Sequence, residues 1–297
     1  MRGCKVWRSV TTKLYIVYWK PAMPTSYFVS CFRSRRLLEL VAVLLAFCAL
    51  ATGGASQAWA AAQCSAVSPV HRLALLELYT SEGCNSCPPA ENWLSRIGVG
   101  TPGVVPLALH VNYWDSLGWR DRFAQAGFTD RQQALSERGG SHIVYTPEIA
   151  LAGAEMRDWQ STQGFAAGLA KINAQASGAD IHIDLAGSGA QTDLNASFTQ
   201  RSALSNQAAQ AYVAVYENHL VSRIGAGENG GATLHHEFVV RQWIGPVPLV
   251  KGVAQIRQKL DLTPDAARPE SGRMGVAAFV QAADGQVLQA LALPACD

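Results

Sequence analysis

A pair of cysteines separated by two residues is the part of this 297-residue sequence best suited to chemistry. Cys84 and Cys87 follow a short apolar run and precede a run with helical spacing, so the pair is expected where a strand leads into a helix. The positive end of the helix dipole favours the thiolate form of the first cysteine. The second cysteine is then close enough to resolve a mixed disulfide, so the spacing indicates a dithiol capable of disulfide exchange.

The same spacing is also typical of half a zinc site or of a structural disulfide. No second Cys-x-x-Cys and no nearby pair of histidines completes a zinc quartet. His110 ends a predicted strand at the edge where the cysteine loop lies, and two thiolates with one imidazole suit copper. A copper site of Cys84, Cys87 and His110 is therefore an alternative, whereas disulfide exchange itself needs no cofactor.

The residues around the cysteines predict a strand, a helix and a second strand. Residues 73–80 and 104–111 are short apolar runs typical of buried strands, and 90–97 has helical spacing. This order implies a right-handed crossover between two parallel strands. Two prolines follow Cys87 directly, so Cys87 is expected to be the N-cap of the helix.

Further along the chain, the pattern changes from helical to alternating. Thr129 opens a predicted helix through a capping box with Gln132, and 159–174 has helical spacing. From Asp180 onward apolar residues alternate with polar ones, and Asp284-Gly285 is typical of a hairpin turn. The second half of the chain is therefore predicted to be mostly β.

Thr146-Pro147 precedes a third short apolar run, 149–151. A strand, a Cys-x-x-Cys at the start of the next helix and a later Thr-Pro together resemble thioredoxin-like proteins. The resemblance implies that Pro147 is cis and faces the cysteines, that this loop pairs with a substrate peptide, and that Cys84 attacks while Cys87 resolves. Glu77 lies near the position of the buried acid that shuttles protons in those proteins; a solvent-facing strand glutamate is the alternative.

Five segments resemble the secreted bacterial family known as domain of unknown function 1223. They are LELYTSEGCNSCPPAE, HVNYWDSLGW, FTDRQ, VYTPE and GENGG. The resemblance spans nearly the whole chain after residue 60 and implies an α/β fold: a thioredoxin-like domain with an inserted helical segment at 61–178, followed by a mostly β C-terminal half at 179–297. It implies no established biochemical role.

The first 60 residues are expected to be an export signal with an upstream extension. Arg33, Arg35 and Arg36 precede the apolar stretch 37–50, and Ala58-Trp59-Ala60 is a small-x-small cleavage site. The uninterrupted apolar part is too short to cross a bilayer. Cleavage near Ala60 would leave a periplasmic or secreted chain with no stable membrane anchor. The general secretory and twin-arginine routes both remain open, as does a true start at Met23.

Removal of the signal changes the charge balance. It leaves 16 basic and 21 acidic side chains, a net charge near −5, with three lysines. Such a chain offers no basic stripe for phosphate backbones, so nucleic acid is not an expected partner.

Four cysteines remain after cleavage, an even number in a compartment where disulfides persist. Cys64 and Cys296 lie at the two ends of the mature chain, and the simplest pairing joins them in a structural disulfide. A lipid-modified Cys64 is the alternative.

Three further signals each have a structural interpretation beside a functional one. The aromatic-rich segment containing Tyr113, Trp114, Asp115 and Trp119 would either line a substrate groove or pack a helical segment onto the sheet. The pattern Gly-x-Gly-x-x-Gly at 225–230 lacks a following helix and predicts a hairpin loop instead of a nucleotide site. In the adjacent pair 235–236, one histidine is expected at the surface and one packed.

The leading functional hypothesis is an exported thiol-disulfide oxidoreductase whose substrates are protein thiols or disulfides. Cys84 and Cys87 supply the redox pair, and Thr146-Pro147 docks the peptide. The alternatives are a secreted binding module whose cysteines form a permanent disulfide, and a copper carrier.

Overall fold

The computed structural model describes residues 63–201, 208–263 and 274–296. The predicted export signal lies outside these ranges. The strands are β1 (Gln63–Val67), β2 (Ala74–Thr80), β3 (Val104–His110), β4 (Glu148–Leu151), β5 (Ala154–Glu155), β6 (Ala179–Ala186), β7 (Thr192–Gln200), β8 (Ala209–Glu217), β9 (Leu220–Arg223), β10 (Thr233–His236), β11 (Val239–Pro248), β12 (Val253–Leu260), β13 (Met274–Ala282) and β14 (Val287–Pro294). The helices are α1 (Pro88–Gly100), α2 (Ala126–Arg138) and α3 (Thr162–Asn173), with short 3-10 turns at Asp115–Leu117 and Gly189–Gln191. Within the described ranges, none of the helices has the length and apolar character needed to span a bilayer.

The largest layer is an eight-stranded mixed sheet in the order β14-β13-β8-β11-β3-β2-β4-β5. Strands β2 and β3 are parallel, as the sequence predicts, and β3 also has a short parallel pairing with β11. The other neighbours in this sheet are antiparallel. The sheet therefore joins strands from both halves of the chain.

The central strands of this sheet are buried on both faces because their alternate side chains enter two different cores. In β8, Tyr212, Ala214 and Tyr216 face the core that includes α1, α2 and α3. Val213 and Val215 face the other core. A strand that buries both faces must be apolar almost throughout, and the residues of β8 and β13 meet that requirement.

A second sheet covers the far face. It has four strands in the order β1-β6-β7-β12, all antiparallel. In β6 the inward residues Ile181, Ile183 and Leu185 are buried, and the residues between them are partly exposed. This strict alternation is typical of a sheet with one face packed on the core and the other facing solvent. The inward residues pack with β8, β13 and β14.

The predicted fold class was wrong. The chain is mostly β, with 45% strand against 20% helix, and its strands form several sheets. An α/β thioredoxin-like domain followed by a mostly β half, packed on the first or continuing it, was expected; in the structure β8, β11, β13 and β14 continue the sheet that contains β2 and β3. The α/β class is wrong because strands outweigh the three described helices in both halves taken together.

The start of α2 also differs from the prediction. The helix begins at Ala126 with Gln125 as N-cap, three residues before the predicted Thr129. Thr129 lies inside the helix and donates its hydroxyl to Asn112 Oδ1 at 2.7 Å, while accepting from the Asn112 backbone N–H. The residue that resembles a cap therefore anchors the loop after β3.

A disulfide joins Cys64 in β1 to Cys296 near the C-terminus, the pairing that the sequence predicts. It closes a loop with a sequence separation of 232 residues. Because β1 is an edge strand with alternating exposed and half-buried residues, few packed side chains hold it in place. The disulfide therefore fixes both chain ends to the smaller sheet.

We expect Cys64→Ala/Cys296→Ala to lower the free energy of unfolding by roughly 3–5 kcal/mol, because the bridge restricts a very long loop in the unfolded chain. Urea unfolding at neutral pH measures this loss. The matched control is Cys84→Ala/Cys87→Ala, whose bridge has a sequence separation of only 3 and restricts the unfolded chain much less. Equal losses in the two double variants would contradict the prediction.

Candidate functional site

The Cys84–Cys87 disulfide lies where β2 leads into α1. Strand β2 ends at Thr80, and a turn places the Cys84 backbone N–H on the carbonyl of Ser81 at 3.1 Å. Cys87 is the N-cap of α1 and has helical backbone angles, although a proline follows it. The two Cα atoms are 5.4 Å apart. The helix therefore begins at the second cysteine, and its positive end lies at the disulfide.

Both cysteines are fully buried, at 0% exposure, while Asn85 and Ser86 between them are exposed. The Ser86 hydroxyl lies 3.3 Å from Cys84 Sγ and donates to the Thr146 carbonyl at 3.5 Å. The Thr146–Pro147 peptide bond is cis, as the sequence predicts. The two segments that the sequence singled out are thus neighbours in space.

Residues 225–231, which we call the glycine loop, contact the turn that carries the cysteines. Asn229 Nδ2 donates to the carbonyls of Glu82 and Cys84 at 2.9 and 3.0 Å. Glu228 accepts from the Asn85 backbone N–H at 3.2 Å. These three bonds hold the loop on the turn that carries Cys84.

The glycines of this loop have a steric role. A Cβ on Gly227 would lie 3.1 Å from Trp119 Cβ, and its φ of +74° favours glycine. The loop connects the antiparallel strands β9 and β10, so the predicted hairpin loop is confirmed. The Gly-x-Gly-x-x-Gly spacing therefore serves close packing against Trp119.

A cluster of buried polar side chains lies beneath the cysteine turn. Glu91, in the first turn of α1, accepts from the Thr80 hydroxyl at 2.6 Å and contacts His236 Nδ1 at 2.6 Å. His236 Nε2 lies 3.5 Å from Glu82 Oε1. Glu91 thus links α1 to β2 and to β10.

A second histidine completes the cluster. His110, the last residue of β3, contacts Asp121 Oδ2 through Nδ1 at 2.7 Å. Asp121 also accepts from the Glu82 backbone N–H at 2.8 Å, and the Glu82 side chain accepts from Trp119 Nε1 at 2.7 Å. The rings of His110 and His236 are 5.4 Å apart.

The pKa shifts identify charged pairs within the cluster. Burial alone lowers the pKa of His236, but the charge of Glu91, with the contacts to Glu82 and Glu91, raises it to about 10. Burial alone raises the pKa of Glu91, but His236 holds it below its ordinary value. Burial alone likewise raises the pKa of Asp121, but His110 holds it below its ordinary value. His236 therefore forms a buried ion pair with Glu91.

Glu77 lies on the other face of β2, since Thr80 and Glu77 differ in strand parity. It is 1% exposed and accepts from Arg131 Nε at 2.6 Å and from the Tyr79 hydroxyl at 3.3 Å. Among the described contacts of Glu77, none reaches a cysteine. The solvent-facing alternative is excluded, and the carboxylate is one half of a buried ion pair with Arg131.

The structure groups the predicted residues differently from the sequence. Cys84, Cys87 and Thr146 lie together, whereas His110 is paired with Asp121 and grouped with His236. Among the aromatic residues, Tyr113 and Trp114 pack against the main core, as the packing interpretation expects, and Trp119 bonds Glu82.

The buried cluster of Glu82, Glu91, His110, Asp121 and His236 was missed as a unit. Its signal was faint. Glu82, His110 and His236 stand at or just after the ends of β2, β3 and β10, and only the tertiary fold brings those ends together.

Comparison with known proteins gives one family and two solved structures. The model of a family described as a protein of unknown function (DUF1223) matches residues 75–281. A crystal structure of a protein from Agrobacterium tumefaciens is 22% identical, with a TM-score of 0.55, covering 74% of this chain and 93% of that one. HBP35 of Porphyromonas gingivalis is 15% identical, with a TM-score of 0.55, covering 76% of each chain. None of the curated proteins is similar enough to count as a match. At these identities the two structures show a shared fold alone.

Arg131→Met is expected to lower the free energy of unfolding by about 3–5 kcal/mol, because it leaves the Glu77 carboxylate buried without its cation. Adding Glu77→Gln to that variant is expected to restore part of the loss. The control is Arg157→Met, which breaks the largely exposed pair with Glu155 and is expected to cost much less. Urea unfolding measures all three variants, and similar losses for Arg131→Met and Arg157→Met would contradict the assignment.

Glu148, next to Pro147, provides a pH-dependent test. Burial raises its pKa to about 7, and it accepts from Gln132 Nε2 at 2.6 Å. The folded protein therefore binds the proton more tightly than the unfolded chain, whose glutamate has a pKa of about 4.3. This contribution to stability is complete below about pH 4 and is lost as the pH rises through 7.

We expect the free energy of unfolding of wild type, relative to Glu148→Gln, to fall by roughly 2–3 kcal/mol between pH 4.5 and 8. Urea unfolding of both proteins across this range gives the difference, in which other titrating groups cancel. The exposed Glu137→Gln is the control substitution. A difference that does not change with pH would show that Glu148 gains no proton on folding.

Proposed function

The chain belongs to the DUF1223 family of proteins of unknown function, and we propose that it exchanges disulfides with protein substrates through Cys84 and Cys87. The observation that supports this most directly is the position of the pair. The disulfide between Cys84 and Cys87 closes the turn at the N-terminus of α1. The two residues between the cysteines, Asn85 and Ser86, are exposed.

The proposed exchange is a two-electron reaction with a mixed disulfide as intermediate. In the reducing direction, the Cys84 thiolate attacks a substrate disulfide, and one substrate sulfur leaves as a thiolate that takes up a proton. The Cys87 thiolate then attacks Cys84 Sγ, which forms the Cys84–Cys87 disulfide and releases the second substrate sulfur. In the oxidising direction, a substrate dithiol reverses these steps. Substrate and protein exchange two electrons and two protons in either case.

The helix terminus supports the thiolate that either direction needs. Partial positive charge at the first turn of α1 stabilises an anion at the cysteines. Glu82 and Glu91 lie within four residues of the pair and act in the opposite sense. The cationic His236 lies between these two glutamates and offsets part of their charge.

Substrate access to the buried cysteines requires movement of the glycine loop. Both cysteines are buried, and the glycine loop is held on the turn by Glu228 and Asn229. Displacement of this loop would free the backbone of the cysteine turn, and the Thr146 carbonyl beside Ser86 would offer the substrate backbone an acceptor. We assign the role of docking element to Thr146 and Pro147 on this basis.

The compartment follows from the same chemistry. Two disulfides among the described residues suit an oxidising environment, which supports a periplasmic or secreted location after cleavage near Ala60. The expected partners are extracytoplasmic proteins with free thiols or disulfides.

Complete burial of both sulfurs favours a second candidate, a binding protein in which the Cys84–Cys87 bridge is permanent. The reduction potential separates the two. Structural disulfides lie below about −300 mV, and exchange enzymes lie above that value.

We expect the Cys84–Cys87 pair to equilibrate reversibly with glutathione at a potential above about −300 mV, measured by thiol trapping and mass spectrometry. Cys84→Ser is expected to abolish disulfide exchange with a dithiol peptide. Cys64→Ser/Cys296→Ser is the matched control and keeps the activity. A bridge that resists reduction at −300 mV would replace the exchange proposal with the binding protein.

Asn229→Ala is expected to speed reduction of the Cys84–Cys87 bridge by dithiothreitol about tenfold or more, because the variant loses two hydrogen bonds worth about 1 kcal/mol each. Asn195→Ala, which removes an amide bonded to Asp184 in the smaller sheet, is the control and leaves the rate unchanged. Stopped-flow trapping of the released thiols measures the rate. Equal rates for wild type and Asn229→Ala would show that the glycine loop does not limit access.

A further inference from the structure

Three polar atoms in the buried cluster have no hydrogen-bond partner among the described residues. They are Nε2 of His110, Nε2 of His236 and Oε1 of Glu82. Each of these residues is at most 1% exposed. An unpartnered buried polar atom costs about 1–3 kcal/mol, so three in one cluster indicate a group that binds all of them.

The spacing of the cluster suits a single ion. One ring nitrogen of each histidine and one carboxylate oxygen of Glu91 lie within 4.8 Å of one another. His236 Nε2 and Glu82 Oε1 lie 3.5 Å apart, longer than an ordinary hydrogen bond. Ligand atoms around a tetrahedral zinc ion are about 3.3 Å apart, given bonds of about 2.0–2.1 Å. Glu82 Oε1 therefore lies beside the group formed by Glu91 and the two histidines.

The other ring nitrogens are arranged as in metal-binding histidines. Such histidines hold the nitrogen that does not bind metal on a carboxylate, which fixes the ring orientation. Nδ1 of His110 contacts the Asp121 carboxylate at 2.7 Å, and Nδ1 of His236 contacts the Glu91 carboxylate at 2.6 Å. Both rings therefore keep Nε2 available.

The charge balance also favours a cation. Glu82, Glu91 and Asp121 place three buried carboxyl groups beside the two histidines. Buried negative charge needs compensation by a cation or a proton.

We propose that Glu82, His110 and His236 bind one divalent transition-metal ion, with zinc as the ion to test. Two imidazole nitrogens and one carboxylate oxygen are an established zinc ligand set, which leaves a fourth position for water or Glu91. Glu91 and Asp121 position the two histidines. This site differs from the copper site considered for Cys84, Cys87 and His110, because the cysteines are joined to each other and offer no thiolate. It does not depend on disulfide exchange.

The test measures zinc by mass spectrometry in protein purified from zinc-supplemented cells with both disulfides intact. We expect about one zinc per chain in wild type and roughly tenfold less or lower in His110→Gln and His236→Gln. Asp121→Asn is expected to weaken zinc affinity roughly 10–100-fold, because only the orientation of His110 changes.

Two controls separate this site from other sources of zinc. His235→Gln alters the exposed neighbour of His236 in β10 and keeps the zinc. Cys84→Ser/Cys87→Ser also keeps it, since the cysteines are not ligands. Loss of zinc in the cysteine variant, or equal zinc in wild type and His236→Gln, would overturn the proposal.

A measurement on wild type alone covers the case in which the histidine variants do not fold. Cobalt replaces zinc in such sites, and nitrogen and oxygen ligands give it visible absorption without the near-ultraviolet band of a thiolate ligand. We expect that spectrum, together with a lower melting temperature after chelation. Wild type that takes up no cobalt and melts at the same temperature with and without chelator would overturn the proposal.

Discussion

The ion pair between Glu91 and His236 fixes the cysteine turn within the fold. It joins residues 145 apart in sequence, one in the first turn of α1 and one at the end of β10. Glu91 also accepts from Thr80 at the end of β2, so a single carboxylate connects the strand before the cysteines, the helix after them and the hairpin that covers them. Removal of the Glu91 side chain would therefore take away both of these polar contacts at the N-terminus of α1.

The burial of that contact follows from the extent of the large sheet. Strands β8 and β11 place the β9–β10 hairpin beside β3, which closes the edge of the site that would otherwise be open to water. Charged groups in such a place need internal partners. In the cluster, His236 is the partner of Glu91 and His110 is the partner of Asp121. On the other face of β2, Arg131 is the partner of Glu77.

Local features of this fold could be predicted from the sequence, and long-range features could not. The strands β2 and β3, the helix between them, the hairpin at Asp284-Gly285 and the Cys64–Cys296 bridge all follow from short patterns. The fold class was wrong because nothing in a strand's own sequence names its neighbour in a sheet. The same holds for the site. Cys84 and Cys87 are visible in the sequence as a motif, whereas Glu82, His110 and His236 form a cluster only because the fold brings the ends of β3 and β10 close together.

The cysteine pair and the buried cluster are linked through one residue of their cover. Asn229 donates to the carbonyl of Cys84 and to the carbonyl of Glu82, so the same side chain holds the cysteine turn and the backbone of a cluster member. Glu82 is fixed further by Trp119, which packs on Gly227 of the same loop. Displacement of the glycine loop therefore cannot expose the cysteines without loosening Glu82. A substrate that opens the loop would alter the charge environment of the cluster, and an ion bound to Glu82 would in turn hold the loop closed over the disulfide. The cysteine turn and the buried cluster thus share the contacts of Asn229.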